Sequence, residues 1–152
     1  MINRDTLLFF DASCLVAAAG SPSGGSAFLL SYCASGLLRA AVSQPVLLEA
    51  ERNILRKLGP EVLHAYRRLV LLTPLSVVEL PPAAEASWWT GLVNQKDEHV
   101  LIAAMEAQAQ YLLTLDRGLA EQVNRANLAL RALSPGEFIR IVLIHHEDYT
   151  AS

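Results

Sequence analysis

Two apolar runs in this chain end on a carboxylate. Leu7–Phe10 is followed by Asp11, and Tyr111–Leu115 by Asp116. Each acid has a hydroxyl two residues away, Ser13 after the first and Thr114 before the second. Two more acids stand near helix starts: Asp97 opens an alanine-rich segment, and Glu49 falls in the first turns of another. A charge at the tip of a buried strand needs compensation, because an unpaired buried carboxylate is strongly destabilising. Four acids brought into one pocket repel one another unless they bind cations. All-oxygen ligands suit hard divalent ions, Mg²⁺ or Mn²⁺, which keep waters and substrate phosphates as the rest of their shell. Paired ions about 4 Å apart activate water and steady the leaving oxygen in phosphodiester hydrolysis. Singly, each acid has an ordinary use as a turn, cap or solvated helix residue. Together with the matching hydroxyls, the set points to metal-assisted chemistry.

The elements that must position these acids alternate along the chain. Leu7–Phe10 is a continuous apolar run, as in strands covered on both faces. Residues 20–25 form a loop, 27–35 a helix closed by Gly36, and 37–42 a second strand. "SQPVLLEAERNILRKLG" is a helix capped by Ser43 or Gln44, with Pro45 in its first turn and Gly59 as its stop. A helix over 61–70, a strand over 75–80 ended by Pro81-Pro82, and a helix carrying Trp88 and Trp89 follow. "KDEHVLIAAMEAQAQ" is a helix with Asp97 and Glu98 at its positive end. "YLLTL" is a strand, followed by a short helix, a strand over 128–133 and a helix over 134–144. Strands alternating with helices predict one three-layer α/β/α domain with a mainly parallel central sheet. Ligands in such folds bind beyond the carboxyl ends of the strands, which is where Asp11 and Asp116 fall.

Bulk properties agree with one domain. The chain has 152 residues, 53% hydrophobic and 18% charged, enough to fold around a core. A net charge of −3 announces no basic face for nucleic acid, yet cation-binding carboxylates contribute to it. Cys14 and Cys33 have no CxxC spacing and fit a reducing cytosol rather than a disulfide framework or a zinc site. No run approaches the about 20 apolar residues of a membrane span, so a membrane partner is not expected.

Several motifs resemble the PIN-domain family, a nuclease fold found in the toxins of toxin–antitoxin pairs. "FFDASCLV" resembles its opening strand and Asp-x-Ser/Asn; "SQPVLLEAERNIL" its Ser followed by an acid-bearing helix; "KDEHVLIAAMEAQAQYLLTLDRGL" its Asp, Ala-rich helix and Thr-x-Asp strand end; "LSPGEFI" a recurrent ending. The four in order cover nearly the whole chain. The resemblance implies a PIN-like domain over residues 1–144, with metal-binding and catalytic acids at Asp11, Glu49, Asp97 and Asp116 and support from Ser13 and Thr114. It implies Mg²⁺- or Mn²⁺-dependent cleavage of RNA by water, a homodimer, and a cognate antitoxin protein. A catalytically silent RNA-binding or assembly module is the alternative.

Within the second motif two acids compete. Leu47, Leu48, Ile54, Leu55 and Leu58 make one helical stripe, with Glu51 inside it and Glu49 nearly opposite. Packing alone would bury Glu51, whereas the motif points to Glu49, with Asn53 one turn on. Arg117, next to Asp116, is placed to meet an RNA phosphate. His64 and His99 read as ordinary surface or packing residues. His145 and His146 point apart and read as the start of a flexible tail over 145–152. One of Trp88 and Trp89 should pack inside. A phosphoryl receiver, the other acid-rich α/β fold, needs a late lysine, and the lysines here are Lys57 and Lys96.

Overall fold

The computed structural model describes residues 1–150; Ala151 and Ser152, the end of the expected tail, lie outside them. Five strands, β1 (Leu7–Phe10), β2 (Arg39–Ser43), β3 (Leu75–Val78), β4 (Tyr111–Leu113) and β5 (Arg131–Leu133), form one sheet in the order β3-β2-β1-β4-β5. Every pairing is parallel. The helices are α1 (Ala12–Gly20), α2 (Gly25–Ala34), α3 (Gln44–Lys57), α4 (Pro60–Leu72), α5 (Ala83–Ala86), α6 (Glu98–Glu106), α7 (Arg117–Arg125) and α8 (Pro135–Ile141), with short 3-10 turns at Ser87–Trp89, Gln95–Asp97 and Leu143–His145.

The chain leaves β1 toward β2 and β3, then returns to lay β4 on the other flank of β1. Right-handed crossovers therefore put α1–α4 on one face and α6 and α7 on the other. Helix α1 packs on α2, α3 and α4, and α8 on α2. The result is the expected three-layer α/β/α architecture. Strand order reverses between β1 and β4, the place where open parallel sheets leave a crevice at their carboxyl edge. All four residues of β1 are buried, and Leu8, Phe9 and Phe10 are fully enclosed. Each such side chain contributes about 1.5–3 kcal/mol by leaving water, so the central strand is the most heavily anchored part of the sheet.

The structure departs from the sequence pattern where that pattern is weakest. Apart from Ser13, helix α1 is apolar along its length, with no amphipathic period to announce it. Its Ala12, Cys14, Leu15 and Ala18 are buried between the sheet and its neighbouring helices. The helix expected around the tryptophans shrinks to α5 and one 3-10 turn, with Trp88 exposed and Trp89 packed against the core. In α3 the buried face is Val46, Ala50 and Ile54, whereas Leu48, Leu55 and Leu58 are exposed. The leucine stripe is thus not the core face, which settles how the helix is turned. Where the pattern reads a tail from residue 145, His146 is 4% exposed. Its Nε2–H donates to the Leu37 carbonyl at 2.7 Å and its Nδ1 accepts from the Asp148 amide at 3.0 Å, which holds this segment against the residues that lead into β2.

Among the described residues no single helix is long and apolar enough to cross a membrane; α1 and α2 reach the composition only as a pair, bent by 97° and embedded in the core.

Both cysteines are buried. Burial first, and then the charge of Asp11, pushes the Cys14 thiol far above its usual range, and burial pushes Cys33 up to about 12. Thiolates are the reactive species, so the native protein should show no thiols to a disulfide reagent at pH 8 and two after guanidinium unfolding. Rapid labelling of Cys14 in the native state would contradict this packing.

Candidate active site

Asp11 is the residue at which β1 ends and α1 begins. Its Oδ1 accepts from its neighbour's amide, Ala12 N, at 2.8 Å, which caps α1. Its Oδ2 accepts two hydroxyls, Ser13 at 3.1 Å and Thr114 at 2.7 Å. Both hydroxyls also accept from the segment after β4: Ser13 Oγ from the Leu115 amide at 3.0 Å and Thr114 Oγ1 from the Asp116 amide at 3.1 Å. A hydroxyl has one proton, and here each spends it on Asp11. The two spacings visible in the sequence, Asp-x-Ser and Thr-x-Asp, therefore close on one carboxylate. Asp11 is 7% exposed, a charge kept near the surface of the core by three donors.

Asp116 caps α7, with Oδ1 accepting from the Leu119 amide at 3.1 Å. A Cβ on Gly118 would come within 3.3 Å of that oxygen, so glycine leaves the carboxylate room. Asp97 sits at the N-cap of α6 but makes no side-chain cap bond. Its Oδ2 is buried without a partner, as is His99 Nδ1 two residues on. Burial, followed by the charges of Asp116 and Asp11, raises the Asp97 carboxyl above its usual range, while Lys96 and His99 oppose the rise.

These elements enclose a cleft of about 470 Å³ lined by Asp11, Ser13, Glu49, Asn53, Asp97 and Asp116, with Lys57 and Lys96 on its walls. The structure thus brings together all four acids singled out from the sequence. Glu49, Asn53 and Lys57 follow one another at four-residue steps along the cleft side of α3. Glu51 lies on the flank toward α4, in an ion pair with Arg67. Glu98 Oε2 accepts from the Gly91 amide at 2.8 Å, away from the other acids. Arg117 lines a neighbouring recess, not this cleft. The chain's two lysines went unremarked as site residues in the sequence; Lys57 is legible only once the rotation of α3 is known.

The residues fit a hard divalent ion. Every acid donor is an oxygen, one of them is buried with no protein partner, and like charges perturb one another across the cleft. Among the described residues, no three His, Cys, Asp or Glu side chains stand close enough to hold an ion between them. An ion bound through one or two carboxylates and several waters, as Mg²⁺ prefers, asks for no tighter cluster.

A family model described as a PIN domain matches residues 8–118, from β1 to the cap of α7, a span that holds all four acids. This chain belongs to the PIN-domain family. No curated protein matches it. Among solved structures, VapC20 of Mycobacterium tuberculosis, described as a sarcin-ricin loop cleaving toxin, is similar at a TM-score of 0.56 and 18% identity, over 75% of this chain and 93% of that one. VapBC2 of Rickettsia felis, solved with a fragment of promoter DNA, matches at 0.59 and 14%, over 85% and 98%. PAE2754 of Pyrobaculum aerophilum matches at 0.63 and 17%, over 92% and 97%. Identities this low establish a shared fold.

Two substitutions probe this PIN site without any substrate. Thr114→Val keeps the shape and removes a donor from a buried carboxylate, so it should lower the unfolding free energy by about 1–3 kcal/mol, measured by urea titration. Asp97 has its folded pKa raised, so its contribution to stability is present at low pH and lost as pH rises through that value. Asp97→Asn should therefore melt higher than the parent at neutral pH in EDTA, and the gap should close on acidification.

Proposed function

We propose that this PIN domain is a Mg²⁺- or Mn²⁺-dependent endoribonuclease, the toxin of a toxin–antitoxin pair, acting in the cytoplasm. The observation that carries this reading is the convergence of Asp11, Glu49, Asp97 and Asp116 on one cleft at the carboxyl edge of the sheet, in a chain of this family. Similarity to VapC20, a sarcin-ricin loop cleaving toxin, supports it, as does similarity to VapBC2.

The chain's own residues set the stage for hydrolysis. Asp11, Asp97, Asp116 and Glu49 would hold the metal. A bound divalent ion would supply a water acidic enough to attack at neutral pH and charge to offset the leaving oxygen. Ser13 and Thr114, both donating to Oδ2, and the Ala12 amide, donating to Oδ1, hold Asp11 in one orientation. Asn53 shares a helix face and the cleft lining with Glu49, its Oδ1 accepting from Arg56 at 3.1 Å. Lys57 and Lys96 lower the repulsion that an RNA phosphate meets on entering an acidic cleft. Water is the nucleophile, and no side chain forms a covalent intermediate.

An antitoxin and a second copy of the chain belong to the same reading. Supporting them are large exposed apolar side chains: Leu71, 84% exposed, and Leu72, 72%, adjoin at the end of α4, and Trp88 is 81% exposed. The alternative, a silent RNA-binding or assembly module, would use the same cleft without turnover, and the presence of all four acids on it argues against that reading.

The purified chain should cleave single-stranded RNA in Mn²⁺ and stop in EDTA. Asp11→Asn and Glu49→Gln should each cut the rate by on the order of 10² or more, with Glu51→Gln near the parent. RNA bound but never cleaved, under any divalent ion, would establish the silent module. Loss of activity in Glu51→Gln with Glu49→Gln intact would reverse the assignment on α3.

A further inference from the structure

A second recess opens along the same edge of the sheet, beyond the ends of β4 and β5. Its walls are Thr114, Leu115, Arg117, Ser134, Glu137 and Arg140. Only the segment from Thr114 to Asp116 separates it from the acids, and Thr114 belongs to both places: it lines this recess and its hydroxyl rests on Asp11.

Arg117 comes from the first residue of α7 and Arg140 from the last turn of α8. Neither is in an ion pair among the described residues. The acid between them, Glu137, is already engaged: its Oε1 accepts from the Ser134 amide at 3.0 Å, and Ser134 Oγ accepts from the Glu137 amide at 3.1 Å. Its carboxyl is held low first by those Ser134 bonds and then by Arg140 and Arg117. One residue of α8 makes room for the guanidinium. A Cβ on Gly136 would lie 3.1 Å from Arg140 Nη1, so glycine lets the arginine fold back one turn toward the recess. Two cations facing one committed anion leave the recess net positive, beside a cleft that is net negative.

We propose that Arg117 and Arg140 form a phosphate subsite that takes the RNA backbone phosphodiester neighbouring the one presented to the acids. The proposal rests on the ribonuclease reading. An RNA strand approaching four carboxylates on a chain of net charge −3 is repelled; Lys57 and Lys96 offset this inside the cleft, and the recess offers cations to the next phosphate along the strand. Guanidinium groups match phosphate through paired hydrogen bonds, and such contacts set register without reading sequence. A partner protein's carboxylate would satisfy the same cations, but a strand continuous with the cleft is favoured because the recess is walled by Thr114, whose hydroxyl rests on Asp11 of the cleft.

The test measures RNA binding without turnover, by fluorescence anisotropy of the full-length Asp11→Asn chain with a labelled single strand over a salt series. Adding Arg140→Ala or Arg117→Ala should weaken binding about tenfold, and each should reduce the slope of log K against log [salt] by about 0.7. Arg140→Lys should recover the slope but not the affinity, and Gly136→Ala, which crowds the guanidinium, should fall between. In the cleaving parent, Arg140→Ala should raise KM and leave kcat within twofold. Arg140 is exposed and unpaired, so melting temperature should hold; should Arg117→Ala unfold, Arg140→Ala and Gly136→Ala still decide. A parent that cleaves RNA, with binding and salt slope unchanged by Arg140→Ala, overturns the subsite and leaves the nuclease standing. A parent that never cleaves overturns the nuclease, and the salt slope then judges the subsite alone. Unchanged RNA binding with weakened capture of an acidic antitoxin peptide assigns the recess to protein and overturns the proposal.

Discussion

The hydrogen bond from the Thr114 hydroxyl to Asp11 Oδ2 is the constraint on which the rest of this structure turns. It joins the ends of two strands that are neighbours in space and more than a hundred residues apart in sequence. Ser13 repeats the connection in the other sense, donating to Asp11 and accepting from Leu115. The strands themselves are held by the ladder pairing Phe10 with Leu113, and the Asp11 amide extends it by donating to the Leu113 carbonyl at 3.0 Å. A slip of one residue in that register would turn Thr114 to the other face of the sheet and leave a buried carboxylate short of a donor.

Against this fixed point the other acids are arranged at a cost. Asp97 keeps a buried oxygen with no protein partner and feels the charges of Asp116 and Asp11. Such an arrangement is poor for folding and suited to gripping a cation. The core carries the imbalance: β1 runs through the middle of the sheet with every side chain buried, so local repulsion at its tip does not unravel it. The acids occupy the seam that the strand-order reversal creates, and stability comes from the layers on either side.

The sequence revealed much of this because the site's geometry is short-range at each end. Asp-x-Ser after an apolar run and Thr-x-Asp at the end of another are local patterns, and strand-to-helix alternation predicts that the two ends meet. The rotation of α3 is different. Five leucines and isoleucines suggest a buried stripe, yet the sheet takes the slimmer face of Val46, Ala50 and Ile54, because α3 must also pack against α1 and α4. Which of Glu49 and Glu51 faces the cleft follows from that rotation and from the Arg67 pair on the other flank, a contact between separate helices. His146 eluded the pattern for the same reason: its partner, Leu37, lies 109 residues away.

The switch-point topology has a further consequence for the order in which the molecule comes into being. Synthesis delivers Asp11 and Ser13 first and Thr114 and Asp116 only after the first three strands and six helices have emerged. Until β4 slots in beside β1, the carboxylate at the tip of β1 lacks its strongest donor and the fourth acid is missing altogether. No amino-terminal fragment ending before residue 111 contains the crevice. A nascent chain, or one cut short by a stalled ribosome, thus lacks the assembled cleft. The cleft is therefore among the last parts of the molecule to be assembled.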